Sequence, residues 1–158
     1  MPDVYDAVKR SDVMRKVRGR DTKPEILVRQ TLHRAGFRFR IHRRDLPGRP
    51  DIVLPKYHAA IFVHGCFWHG HPSCPHAARP MSNVDYWRRK LDRNIERDAS
   101  NMAALRQAGW HVIVLWECEI RTHAQAEEML NGVLFHRSES APGDQVARED
   151  SDAGLSAR

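Results

Sequence analysis

The sequence predicts a mixed α/β fold in which helices flank a sheet of four strands. Residues 59–64 and 110–117 are almost continuously apolar, which is typical of strands at the centre of a sheet. Three other segments, residues 21–36, 83–108 and 122–135, place apolar residues at helical spacing. The order along the chain is one helix, three strands, a helix, a strand and a helix. This order favours a mixed sheet covered by helices.

The first predicted helix, residues 21–36, carries its own start and stop signals. Thr22 can cap its N-terminus, and Glu25 completes the capping box in the letters TKPE. Pro24 fits the first turn, and Gly36 ends the helix.

Three short strands follow, at residues 37–41, 51–54 and 59–64. The first alternates apolar and basic residues, the pattern of a half-buried strand. Two pairings of the second and third strands are open. Residue numbers that sum to 114 place Asp51 opposite Val63, whereas a sum of 115 places it opposite His64.

The longest predicted helix, residues 83–108, has an apolar face and is stopped by Gly109. That face consists of Leu91, Ile95, Met102 and Leu105. The strand at residues 110–117 and the amphipathic helix at residues 122–135 complete the predicted core.

The net charge of the chain is +6, and it is unevenly spread. The last 22 residues carry three arginines against five acidic residues, so the preceding 136 residues carry +8. Such a surplus favours a polyanionic partner, most often nucleic acid, although solubility alone also explains it. Basic residues cluster at residues 16–20, 38–44 and 87–97, and this clustering favours nucleic acid.

The chain divides into three parts. We expect a basic arm at residues 1–20 with a short helix around residues 11–17, a domain at residues 21–136, and a disordered acidic tail at residues 137–158. No apolar run approaches the ~18 residues of a membrane helix, and no signal peptide is recognisable. Three cysteines, an odd number, argue against a disulfide framework. We expect a cytoplasmic monomer with no membrane partner.

The segment FVHGCFWHGHPSC, residues 62–74, combines thiols, imidazoles and large aromatic side chains. Its C-x4-H-x2-C spacing is short enough for three ligands to meet at one ion, and Cys118 can approach from the end of the most apolar strand. Thiolates and imidazole in this number favour a closed, structural zinc site. The candidate ligands are Cys66, His71, Cys74 and Cys118. The alternatives are a free thiol at Cys118 and His76 in place of His71.

Asp51 opens a strand beside the end of the strand that carries Val63 and His64. A carboxylate and a main-chain carbonyl at a strand end are hard oxygen ligands, which suit Mg²⁺. His69 could take a proton from water, because the ordinary pKa of histidine lies near neutrality. Structural alternatives are a turn residue for Asp51, a core histidine for His64 and a helix cap for Glu25.

Five motifs, in their order and spacing, resemble the very-short-patch repair (Vsr) family of DNA mismatch endonucleases. They are RDTKPE, LPGRPDIV, IFVHGCFWHGH, YWRRKLDRNIERD and LRQAGWHVIVLWECEI, within about residues 3–120. The resemblance implies a restriction-endonuclease-like core in an endonuclease domain at residues 21–136, with a structural zinc. It also implies Mg²⁺-dependent nicking of double-stranded DNA 5′ to the thymine of a T·G mismatch, left by deamination of 5-methylcytosine. Mismatch-repair proteins are further candidate partners.

The resemblance also implies roles for individual residues. Asp51 and the backbone of Val63 would bind Mg²⁺, and the four ligands named above would bind zinc. His69 would activate water, while His64 and Glu25 would support catalysis. The implied DNA contacts are Phe67, Trp68 and Trp87 as wedges, Lys90 and Asn94 as readers of flanking bases, and Arg88, Arg89 and Arg93 on phosphates.

The chain departs from the family where Val63 replaces a threonine. If the metal uses the backbone carbonyl, valine changes nothing; if the hydroxyl is required, activity is lost. Two other functions are therefore kept open: a zinc-stabilised DNA-binding module without catalysis, and a nuclease with the same core but a restriction-type substrate. Trp87 has the alternative of packing in the core at the start of its helix.

Overall fold

The computed structural model describes Lys16 and residues 19–134 of the chain. The acidic tail at residues 137–158 lies outside the described residues. The basic arm and its short helix do so too, apart from Lys16, Gly19 and Arg20. The described part is a mixed α/β fold, and this prediction is confirmed.

Helices and strands follow one another in the predicted order, with one added helical turn. The helices are α1 (Lys23–Arg34), α2 (Cys66–His69), α3 (Val84–Gln107) and α4 (His123–Leu134), and the strands are β1 (Arg40–Ile41), β2 (Ile52–Leu54), β3 (Ala59–His64) and β4 (His111–Trp116). Short 3-10 turns occupy Pro55–Tyr57 and Pro75–Ala77. Within the described residues, no helix is long and apolar enough to cross a membrane.

The strands form one sheet in the order β1-β2-β3-β4. β2 is antiparallel to both β1 and β3, whereas β4 joins β3 in parallel after the chain crosses over through α3. Ile52 pairs with Ile61, so the residue numbers sum to 113 and both predicted registers are wrong. The cause is a tight connection, in which His58 takes a positive φ of 49° and its N–H bonds to Pro55 O.

The two faces of the sheet pack against different helices. Val28 and Leu32 of α1 and Leu130 of α4 join one face, together with the side chain of Val63. Leu105 of α3 packs on the other face against Phe62. Because side chains alternate along a strand, His64 lies on the α3 side of β3 with Phe62.

Two details of the predicted elements are wrong. Of residues 37–41 only Arg40–Ile41 pairs with the sheet, while Phe37 and Phe39 pack against the core from outside the strand. On α3, Ile95 is 37% exposed, and the buried residues of that helix are Trp87, Leu91 and Leu105. Ile95 instead lies against the loop after β3, as described below.

Candidate active site

An open cleft of ≈ 1380 Å³ lies at the end of the sheet where β2 begins and β3 ends. The N-terminus of α1 and one face of α3 form its sides. Among the acids and histidines that line it, we name four the catalytic cluster: Asp51, His64, His69 and Asp98.

Asp51 is held by the backbone of the neighbouring strand. Its Oδ2 accepts a hydrogen bond of 2.7 Å from the Val63 N–H. Burial raises the pKa of Asp51 to about 6; the Val63 amide opposes this rise, and the nearby Glu25 carboxylate adds to it. The side chain of Val63 packs into the core, so it is the backbone at this position that faces Asp51.

His69 is oriented by a carboxylate on α3. Its Nδ1 lies 2.5 Å from Asp98 Oδ2. Burial alone would raise the pKa of Asp98, but the hydrogen bond and charge of His69 lower it below its usual value. With Nδ1 engaged, Nε2 is the nitrogen left for proton transfer.

His64 stacks flat on His69, with ring centroids 3.8 Å apart and planes 7° apart. Burial, together with the neighbouring His69, lowers the pKa of His64 to about 4. His64 is therefore neutral at physiological pH. It can stack on His69 without adding a second positive charge.

Glu25 is buried and fully occupied by donors. Its oxygens accept hydrogen bonds from Asp21 N at 2.9 Å, Thr22 Oγ1 at 3.2 Å and Arg29 Nη2 at 3.0 Å. Only half of the predicted capping box is present: the Glu25 N–H donates to Thr22 Oγ1, whereas the Glu25 carboxylate accepts from the amide of Asp21 rather than that of Thr22. Through space, Glu25 acts on the site as a negative charge near Asp51.

The predicted zinc ligands lie together on one side of the loop after β3. We name them the thiol cluster: Cys66, His71, Cys74 and Cys118, whose donor atoms all lie within 4.8 Å of one another. His71 Nδ1 is 3.5 Å from Cys66 Sγ and 3.3 Å from Cys118 Sγ. Three sulfurs and one imidazole fit tetrahedral zinc, and His76 is not a member of the cluster.

Three sets of contacts fix the loop after β3, which contributes residues to both clusters. The Cys66 N–H donates to Glu117 Oε1 at 2.9 Å. Gly70 has a φ of 63°, and a Cβ there would meet Ile95 Cδ1 at 2.5 Å, so the loop lies directly on α3. Trp116 stacks on His71 at 4.2 Å and meets the edge of His64 at 5.3 Å.

Aromatic rings gather beside the cleft, and we name them the aromatic cluster: Phe67, Trp68, Tyr86 and Trp87. Trp87 is only 5% exposed, so in this structure it packs in the core, as the sequence also allowed. Phe67 and Trp68 are half-buried, and Tyr86 is 52% exposed.

The polar and basic residues that line the cleft overlap only in part with the predicted DNA contacts. Lys90 and Asn94 line it, and Asn94 donates to the Trp68 carbonyl at 3.3 Å. The predicted phosphate contacts, Arg88, Arg89 and Arg93, are exposed but do not line the cleft. The cationic side chains that line it are Arg20, Arg44, Arg49, Lys90 and Arg97.

Sequence reasoning assigned no role to Asp98, Glu117 or Tyr86. Asp98 is the last residue of the motif YWRRKLDRNIERD, whose sequence alone gives this acid no role. Glu117 directly precedes a predicted zinc ligand, and Tyr86 directly precedes a predicted wedge. Adjacency was thus the available signal, but only the fold shows what each side chain touches.

Comparison with known proteins identifies the family. The family model for DNA mismatch endonuclease Vsr matches residues 2–75. The DNA mismatch endonuclease Vsr of Escherichia coli (strain K12) is 40% identical over 139 residues, 88% of this chain and 86% of that protein. The chain belongs to the Vsr family. The predicted family and an endonuclease activity on DNA are thereby confirmed.

Other Vsr-like relatives are named as nicking enzymes. The type II nicking enzyme V.NmeAIP of Neisseria meningitidis is 47% identical over 134 residues, 85% of this chain and 95% of the relative. The type II nicking enzyme V.XorIIP of Xanthomonas oryzae pv. oryzae is 46% identical over 134 residues, 85% of this chain and 98% of the relative. This Vsr-family chain is therefore a DNA nicking endonuclease.

Proposed function

We propose that this Vsr-family chain nicks one strand of double-stranded DNA 5′ to the thymine of a T·G mismatch. Mg²⁺ at Asp51 and zinc in the thiol cluster would be its ions. The observation that carries the proposal is the His69–Asp98 pair, which faces the same cleft as Asp51. The mismatch named in the description of the Escherichia coli relative supports the substrate.

The proton chemistry follows from the histidine pair. His69 takes a proton from the attacking water through Nε2, because Asp98 already holds Nδ1. Asp98 then stabilises the positive ring that results, as a carboxylate partner of a catalytic histidine does. His64 stays neutral beneath it, so the charged ring meets no repulsion from its stacking partner.

The metal ligands proposed for Mg²⁺ are the Asp51 carboxylate and the Val63 carbonyl. The donor set fits, because Mg²⁺ binds through one or two carboxylates and takes other ligands from water and substrate phosphates. When bound, Mg²⁺ supplies neutralisation of the charge that develops on the phosphate. Asp51 keeps its orientation through the Val63 amide, so the carboxylate is placed before the ion arrives.

The DNA contacts divide into wedge, base readers and phosphate contacts. Phe67 and Trp68 enter the duplex, backed by buried Trp87. Unstacking a base step costs a few kcal/mol and least at a mismatch, so the wedge favours T·G. Lys90 and Asn94 read base edges in the cleft. The arginines expected on phosphates add affinity that carries no sequence information: Arg88, Arg89 and Arg93.

A nicking assay tests the proposal. Labelled duplexes with T·G or T·A at one position are incubated with Mg²⁺, with Ca²⁺ or with no added divalent ion. EDTA is avoided because it would also strip zinc. We expect a nick 5′ to the thymine in the T·G duplex with Mg²⁺ alone. Equal cutting of T·A would instead indicate a restriction-type nuclease, and binding without any nick would indicate a binding module. Mismatch-repair proteins as partners stay a prediction.

A further inference from the structure

Lys90 has an unusual setting for an exposed lysine. Its Nζ lies 5.5 Å from the ring centroid of Trp68, 5.5 Å from that of Tyr86 and 5.6 Å from that of Trp87. It also donates a hydrogen bond of 3.2 Å to the Tyr86 hydroxyl. Tyr86 precedes Lys90 by four residues on α3, so the two side chains are neighbours on one helix face.

This setting removes freedom that a lysine normally keeps. A lysine ammonium on its four-carbon stem is a mobile point charge, and a mobile charge attracts phosphates and base acceptors alike. The three rings hold the charge near one place through cation–π attraction. The Tyr86 hydroxyl then takes one of the three N–H donors in a fixed direction.

Because Lys90 lines the cleft, its remaining donors can reach a duplex that is bound there. Guanine offers two adjacent acceptors, O6 and N7, on its major-groove edge, whereas adenine offers N7 beside a donor. A fixed ammonium therefore distinguishes these edges better than a mobile one does, because it cannot move to another acceptor when adenine presents a donor in place of O6.

We propose that Tyr86 is a positioning residue that determines specificity: its hydroxyl fixes Lys90 so that the enzyme prefers a guanine in a base pair flanking the mismatch. The inference rests on the proposed function, in which Lys90 reads bases, and adds the residue that aims it. Asn94, four residues further along the same face, is anchored separately through the Trp68 carbonyl.

The test measures preference in binding. Full-length protein is titrated, without added Mg²⁺, into fluorescent T·G duplexes in which each flanking base pair is changed in turn. Tyr86→Phe keeps the ring and removes the hydroxyl. We expect the ratio of affinities for the preferred and the changed duplex to fall about fivefold at one flanking pair, the effect of one ordinary hydrogen bond.

Tyr57→Phe is the matched control. Tyr57 is also exposed and lies 5.9 Å from a lysine ammonium, that of Lys56, but it sits at the opposite end of β3 from the cleft. Its ratio should equal that of the wild type. Lys90→Ala should abolish the same preference, and adding Tyr86→Phe to it should cause no further loss.

Three results would overturn the inference: a wild type without flanking preference, a Tyr86→Phe protein with the full ratio, or an equal loss of affinity for every duplex. The last result would mean that the hydroxyl contacts the backbone. The proposed function fails differently. If the wild type binds with a flanking preference but does not nick T·G, the proposed function is wrong, and the ratio of affinities can still be measured. If the wild type nicks T·G but Tyr86→Phe leaves the ratio of affinities unaltered, only the inference about Tyr86 is wrong.

Discussion

The catalytic cluster and the thiol cluster both include residues of the segment after β3 but are held in different ways. In the catalytic cluster each acid already has a protein partner: Asp51 accepts from Val63 N, and Asp98 pairs with His69. In the thiol cluster the shortest approaches between donor atoms are 3.3 Å and 3.5 Å, both to His71 Nδ1.

This difference separates two uses of a metal ion. Hydrogen bonds preorganise the catalytic side chains, so the ion proposed there would serve the reaction and not the fold. Thiols are weak hydrogen-bonding groups, and three of them around one imidazole would gain their binding energy from the proposed zinc. Losing Mg²⁺ should therefore stop chemistry, whereas losing zinc should loosen the structure.

The strongest test of the comparison is Asp51→Ala. Nicking should fall about 10⁴-fold, the scale seen when a central catalytic group is removed, while affinity for the T·G duplex is kept. Single-turnover nicking and fluorescence anisotropy measure the two quantities. Asp45→Ala, which removes an exposed acid paired with Arg43 outside the cleft, is the control. An active Asp51→Ala protein would show that the metal site lies elsewhere.

Replacing the partner of His69 should have the next largest effect. Asp98→Asn should slow nicking about 10²-fold, because the ring loses the carboxylate that orients it and balances its charge. Asp92→Asn is the matched control on the same helix, since Asp92 pairs with Arg79 at 2.5 Å in an exposed position. Rates within threefold of each other for the two variants would contradict the role of Asp98.

The thiol cluster should respond in stability. Cys74→Ser should lower the Tm by about 10 °C and reduce bound zinc, because a lost zinc ligand removes several kcal/mol from the free energy of unfolding. Thermal unfolding and metal analysis measure the change. His76→Ala, close in sequence but outside the cluster, should match the wild type. If both variants unfold at the same temperature, the four residues do not hold a structural ion.

The smallest expected effect concerns the pH dependence of stability without Mg²⁺. Because the folded-state pKa of Asp51 is about 6 against 3.8 in the unfolded chain, the folded state binds more protons between these values. The free energy of unfolding therefore falls as pH rises through that window. Asparagine at position 51 does not ionise. The Tm of the Asp51→Asn protein minus that of the wild type should therefore increase by ~5 °C from pH 4 to pH 7.5. A constant Tm difference across this pH range would mean that the pKa of Asp51 is not raised.

Much of the fold was predictable because apolar periodicity marks α1, α3, β3 and β4 without help from other segments. The strand register was not, because it depends on how tightly residues 55–58 turn, and a positive φ at His58 shortened that turn. The prediction that α3 buries Ile95 was wrong for a related reason. Ile95 lies against Gly70 of the loop after β3 rather than against the sheet.

In the site, residue chemistry predicted the thiol cluster, since all three cysteines and one histidine had to be placed together. It did not predict Asp98, which lies 29 residues after His69 and meets it only because α3 packs on the loop. Nor did it predict that Arg97 lines the cleft, whereas the phosphate contacts predicted at Arg88, Arg89 and Arg93 lie outside it and stay a prediction.

Trp116 has a consequence for how such a chain can change over generations. One indole ring contacts both His71, by stacking, and His64, edge to face. A mutation that loosens the thiol cluster should therefore shift a ring that His64 contacts. Substitutions of the thiols should then be tolerated as poorly as substitutions of the catalytic acids. A random library scored by nicking alone should recover both clusters, with position 116 joining them, as a single block of intolerant sites.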